Sequence, residues 1–232
     1  GVEAAAKALQ ARGARLMEIP LPAPLSHYRR AAGIINPADS YSIHEADFLE
    51  RTGLMGQALR DKLTTGSMIR AGDVIAAHRM RRHLARATDA LFGLCNLLLL
   101  PGAYRVAPSY ADPAAVIAFT REGAMNIASL SGHPAMTTPC GFDGEGMPLN
   151  VQIIGPYFAE ARVLRAAQVI EDALAERARR PTLRGGDLPL EPSPPVDRAA
   201  RDDELARNLA AMAAELPRLP DKFAEPAGVF RP

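Results

Sequence analysis

Asn126-Ile-Ala-Ser-Leu-Ser-Gly132-His133-Pro134-Ala135-Met-Thr-Thr-Pro139-Cys140-Gly141-Phe142 runs through Asp143-Gly144-Glu145-Gly146 into Met-Pro148-Leu149-Asn150-Val151-Gln152-Ile153-Ile154-Gly155, and the fold turns on how this stretch is read. Its two apolar runs have the length of strands, and the Asp-Gly-Glu-Gly segment between them has a turn composition, so a hairpin is predicted. Side chains alternate along a strand. Leu149, Val151 and Ile153 therefore point to one face, and Asn150, Gln152 and Ile154 to the other. From about Ala159 to Ala178 the period becomes helical, with Val163, Leu164, Ala167, Ile170 and Leu174 on the apolar side. This helix is expected to pack on the sheet.

Working outward towards the N-terminus, a helix over about 113–130 precedes the hairpin, and before it lies the apolar run Leu94 to Leu100. Such a run is typical of a strand covered on both faces, which places it in the interior of a sheet. From Asp73 to Phe92, Val74, Ala77, Arg81, Leu84, Thr88 and Leu91 recur at spacings of three and four, so one helical stripe contains a charged member. Residues of about 26–70 read as a mostly helical layer interrupted by Gly and Pro. The chain opens with a helix over about 2–12, closed by Gly13, and then a short strand through Leu16, Met17 and Ile19. No initiator Met precedes this helix, so the chain is expected to begin inside a domain. Towards the C-terminus, Pro and Gly are dense between Arg180 and Pro195. The expected organisation is an α/β part over 1–179, a linker over 180–197 and a helical tail over 198–232.

Composition narrows the function classes. The chain has 232 residues, is 48% hydrophobic, and carries 27 Lys and Arg against 26 Asp and Glu. A net charge of +1 gives no global field to draw it to nucleic acid or an anionic membrane. Leu97-Leu98-Leu99-Leu100 is stopped by Pro101-Gly102, far short of the about 20 residues of a membrane span. Cys95 and Cys140 show neither metal spacing nor a disulfide framework, which suits a reducing cytoplasm. The five histidines have no metal-ligand spacing, and no metal is predicted.

Asn126, Gly132, Pro134, Ala135, Pro139, Gly141, Gly146, Pro148, Gln152, Gly155 and Glu160 together resemble the C-terminal signature of the amidase signature family. The resemblance implies the C-terminal portion of that α/β fold, a mixed β-sheet covered by helices. It also implies hydrolysis of a linear amide C–N bond by a Ser nucleophile, a second Ser in a cis peptide and a Lys, with no cofactor or metal. This chain has no Gly/Ser-rich loop of the family's kind, and its only lysines are Lys7, Lys62 and Lys222. The expectation is therefore the C-terminal part of an amidase that lacks the catalytic residues and is inactive alone. The partners implied are a small-molecule amide, once the enzyme is complete, and an N-terminal amidase half or accessory subunit, with a homodimer left open. The other reading is a non-catalytic, amidase-like protein that binds a partner.

Three residues are candidates for substrate binding. Arg81 lies where family members that bind a substrate carboxylate often carry an Arg, and its stripe would aim it inward. It reads equally as a member of a solvated basic face with Arg79, Arg82 and Arg86. Asn126 and Gln152 could meet the substrate or brace the loops around it. His133 and Cys140 stand seven residues apart across a predicted strand, with no third group in sight to orient them. Members of the family that bind glutamine place an Asp shortly before the Asn, where Ile117 to Thr120 offers none.

Overall fold

A computed structural model describes residues 1–109, 111–122 and 124–175. The predicted linker over 180–197 and tail over 198–232 lie outside the described residues. Two compact units divide the described chain, one of 1–36 with 69 onward and the other of 37–68.

The first unit is built on the predicted hairpin. Strand β2 (Ala135–Phe142) pairs antiparallel with β3 (Pro148–Ile154). The connection closes through Asp143, whose N–H donates to the Met147 carbonyl at 2.9 Å and whose Oδ1 accepts from the N–H groups of Glu145 and Met147. Gly146 takes a positive φ of 85°, which a residue with a Cβ adopts only at a cost. The register slips between Pro139 and Gly141, so Cys140 is the extra residue of a bulge. Strand β1 (Leu98–Pro101) pairs with the other side of β3, giving the order β1-β3-β2. All three described strands are antiparallel.

The alternation along β3 feeds two cores. On one face Val151 and Ile153 pack with Cys140, with Ala5 of helix α1 (Val2–Ala11), and with Val163, Ala166, Ala167 and Ile170 of helix α7 (Glu160–Leu174). On the other, Ile154 and Leu98 join Tyr28, Ala31 and Ile35 of helix α2 (Leu25–Arg51) and Ala77 and Leu84 of helix α4 (Ala71–Ala90). Ile127, Ala128 and Leu130 of helix α6 (Asn126–Ser131) complete that core. The buried hydroxyls of Tyr28 and Thr88 bond at 2.8 Å and tie α2 to α4. Glu160 stands in the first turn of α7, where a carboxylate suits the helix dipole. Gly155 lets that helix approach the sheet, since a Cβ there would lie 2.7 Å from Val163 Cγ2.

Helix α1 ends as predicted. Gly13 N–H reaches the Gln10 carbonyl at 2.8 Å and Ala14 N–H the Leu9 carbonyl at 3.1 Å, the paired bonds of a Schellman cap. The strand expected next is absent, and 14–21 has no regular structure. Ile19 and Leu21 pack on the second core while Leu16 and Met17 are exposed. An extended segment becomes a strand only when a neighbour receives its N–H and C=O groups, and no described strand lies there to do so.

The leucine run also differs from expectation. A 3-10 turn over Leu91–Gly93 carries the chain past α4, Leu94 is 64% exposed, and β1 starts only at Leu98. Among the described residues strand β1 has a neighbour on one side alone and stands at the edge of the sheet, where an interior position was expected. The helix predicted over 113–130 divides into α5 (Pro113–Glu122) and α6. On α7 the buried stripe is narrower than predicted, and Leu164 faces outward.

The second unit contains the later part of α2 and helix α3 (Gln57–Ser67), joined by a 3-10 turn over Thr52–Leu54. Phe48 and Leu63 are buried there, and Tyr41 meets Phe48 edge-on with ring centroids 5.9 Å apart. A methyl group at Gly66 would run into the Pro37 carbonyl, so α3 can lie this close to α2 only with glycine at that position. Among the described residues no helix is long and apolar enough to cross a membrane.

Candidate functional site

Helix α6 ends in a short turn, and its last carbonyls need donors from outside the helix. Gly132, at φ 83°, returns its N–H to the Ala128 carbonyl at 2.8 Å. Arg81 Nε donates to the Leu130 carbonyl at 2.8 Å, and Tyr157 Oη donates to the Ser131 carbonyl, also at 2.8 Å. A guanidinium at a helix C-terminus additionally meets the negative end of the helix dipole. These bonds draw α4, α6 and the loop after β3 together around one cleft of about 450 Å³, lined by His78, Arg81, Arg82, Ala85 and Ser131.

His133 stands behind Ser131, one of the cleft residues, and does not itself line the cleft. Its ring is stacked on Tyr157, with centroids 4.0 Å apart and planes 17° from parallel, and Phe92 lies 5.1 Å away on a tilt. Its Nδ1 is 2.8 Å from Ser131 Oγ and its Nε2 is 3.3 Å from Asp89 Oδ1. The imidazole is fully buried, whereas the Asp89 side chain is about half exposed. Burial, reinforced by the Asp89 carboxylate, pushes the Tyr157 phenol above its ordinary value, and the Arg81 cation opposes that shift. The phenol therefore remains a proton donor across the physiological range.

Of the three candidates read from the sequence, only Arg81 lines the cleft. Asn126 opens α6, about 7.5 Å along the helix axis from Ser131 by the 1.5 Å rise per residue. Gln152 is buried in the middle of β3, between Leu100 of β1 and Thr137 of β2, and its Oε1 has no hydrogen-bond partner among the described residues. The fold does not bring the three together. It gathers instead Asp89, Ser131, His133 and Tyr157, none of which the sequence reading singled out as binding groups. The local signal for two of them is the i, i+2 spacing of Ser131 and His133, which a tight turn at Gly132 makes into a contact. Cys140, the sequence neighbour considered for His133, is buried in the core on the α7 face. No three of His, Cys, Asp and Glu come together in a metal-holding group among the described residues.

A family model described as Amidase matches residues 1–164, a span that includes every residue of the cleft. The chain is 41% identical over 98 residues to a Glutamyl-tRNA(Gln) amidotransferase subunit of Neisseria meningitidis serogroup C (strain 053442), a match that covers 42% of this chain and 20% of that protein. With the corresponding protein of Sphingopyxis alaskensis it shares 37% over 107 residues, 44% of this chain and 21% of the relative. The chain thus spans about a fifth of the length of the curated relatives it matches. Among solved structures, 6-aminohexanoate cyclic dimer hydrolase with bound substrate aligns at a TM-score of 0.65 and 22% identity, over 78% of this chain and 42% of that one. Allophanate hydrolase of Kluyveromyces lactis aligns at 0.65 and 20% identity, over 77% and 30%. At those identities the likeness is one of fold.

Proposed function

Because the chain belongs to the amidase family, we propose that it is the C-terminal part of an amide C–N hydrolase whose nucleophile and proton-shuttling lysine stand on polypeptide outside it. The observation that carries this reading is the cleft itself. It offers cations and a hydroxyl to a ligand, but among the described residues it contains no lysine, and the sequence has no Gly/Ser-rich loop of the family's kind. Lys7 lies on α1 and Lys62 on α3, neither of which contributes to the cleft. In this division of labour the chain supplies a wall of the substrate site and the completing half supplies the acyl-accepting serine.

Arg81 then has a second task beyond holding α6. Its Nε is engaged by Leu130, and the N–H groups that remain on the guanidinium are directed to the carboxylate or carbonyl end of an amide substrate. Asn126 and Gln152 act at a distance from the cleft as braces, and Gln152 Oε1 is ready to accept from the completing half. The proposal divides the chain into an amidase-like part over 1–179, a linker over 180–197 and a tail over 198–232 that would dock on a partner. The reading asks for no metal and no cofactor.

Two steps test it. The reading frame upstream of residue 1 should encode a Gly/Ser-rich loop preceded by a Lys, and that upstream half mixed with this chain should hydrolyse an aryl amide. An upstream frame with neither feature would favour the partner-binding alternative.

A further inference from the structure

Ser131, His133 and Asp89 stand in the order of a nucleophile, a base and the group that orients the base. The carboxylate at Nε2 selects the imidazole tautomer that carries its proton there, because a carboxylate can only accept. That choice leaves the Nδ1 lone pair free to receive the Ser131 hydroxyl proton across 2.8 Å. Tyr157 and Phe92 fix the ring plane, so the imidazole cannot turn away from either partner. Ser131, although only 6% exposed, lines the cleft together with Arg81, Arg82 and His78, while the imidazole behind it is fully buried. The guanidinium groups of Arg81 and Arg82 therefore bring positive charge to the cleft that the serine lines, where negative charge would develop on an attacked carbonyl. A nucleophile within reach of a base that a third group orients is the arrangement by which a serine hydroxyl is activated on unrelated folds.

We propose that Ser131 is an activated nucleophile that hydrolyses small activated esters, independently of any completing amidase half. Ser131 Oγ forms a bond to the ester carbon while its proton passes to His133 Nδ1, and Asp89 stabilises the resulting imidazolium through Nε2–H. As the ester C–O bond breaks, His133 returns that proton to the departing alcohol. Water then repeats the sequence on the acyl-serine, giving the carboxylic acid and regenerating the hydroxyl. Ester and water are consumed, and acid and alcohol are formed. An amine leaves far less readily than a phenol, so activity on aryl esters is compatible with inertness towards amides. Ser131 and His133 are the reacting groups and Asp89 is a positioning residue. The charged and titratable groups around them are Asp89, Arg81, Arg82 and His78 of α4 and Tyr157 of the loop after β3.

The experiment uses the full chain with 4-nitrophenyl acetate as substrate and a fluorophosphonate as label. The expected result is saturable release of 4-nitrophenol and a single labelled peptide carrying Ser131. Ser131→Ala should remove the label and lower the rate about 100-fold or more. Asp89→Asn, at a half-exposed position, should keep the melting temperature and KM while lowering kcat, because the carboxylate that can only accept, and so fixes the imidazole tautomer, has gone. Labelling of the unsubstituted chain does not depend on how either variant folds. Absence of turnover, a label on another residue, or a rate unchanged in Ser131→Ala overturns the proposal. None of these results touches the amidase reading, which rests on the completing half.

Discussion

Arg81 meets two demands with one side chain, closing the C-terminus of α6 through Nε and presenting the rest of its fork to the cleft. In a reconstituted enzyme Arg81→Met keeps much of the stem packing and removes the donors. Acidic amides should then lose about 2–5 kcal/mol of transition-state binding, read as kcat/KM, while neutral amides lose only the smaller cost of an open helix end. Equal losses for both substrate types would assign Arg81 to the cap alone. Gly132→Ala should cost about 1–2 kcal/mol by denaturant titration, because φ 83° is a conformation that a Cβ opposes. That Arg81 shares a helix face with Ala77, Leu84 and Thr88 was legible in the spacing; those three are buried, whereas Arg81 itself is exposed. Its acceptor was not legible, being a backbone carbonyl 49 residues away that only the folded chain brings near. His133 shows the same limit. Along the sequence its conspicuous neighbour was Cys140, but the sheet carries that thiol into the α7 core and the fold delivers Asp89 from 44 residues back.

Elements, too, were readable to the extent that their partners were local. The hairpin needs only its own turn, and its two faces alternate as the sequence predicts, with Val151 and Ile153 towards α7 and Ile154 towards α4 and α6. The leucine run needed more than itself. Apolarity on consecutive residues fits a strand covered on both faces, but whether such a strand is interior depends on a second neighbour, and the sequence of the run does not say whether one exists. Leu98 is the one leucine of β1 that is buried, and Leu99 and Leu100 are half-buried. Leu98→Asp should therefore cost about 3 kcal/mol or more by burying a charge, whereas Leu94→Asp, four residues earlier and 64% exposed, should change stability by no more than about 0.5 kcal/mol. Denaturation midpoints of the two variants check both numbers. The segment through Leu16 and Met17 makes the complementary point, because its strand-like composition produced no strand where no described neighbour accepts its backbone groups.

At a larger scale, in the first unit the described sheet is covered on each face by helices, and no described lysine lines the cleft beside α4 and α6. The 232-residue chain alone should therefore leave aryl amides intact, measured after contaminating hydrolases have been removed by repeated purification; persistent turnover would show that it holds a complete amidase centre. The connection of β3 to its two neighbours sets a clock as well. Its pairing with β2 closes across the turn at Asp143 to Met147, and so can form on the roughly 1–10 μs scale of a hairpin. Its pairing with β1 must wait for a long intervening loop to close, an entropic barrier met before any contact rewards it. The pairing of β2 with β3 is therefore expected first, with β1 recruited later. The backbone amides that join β2 to β3 should be the last to exchange with deuterated water, and those that join β1 to β3 should open first, by a fraying that leaves the hairpin shut.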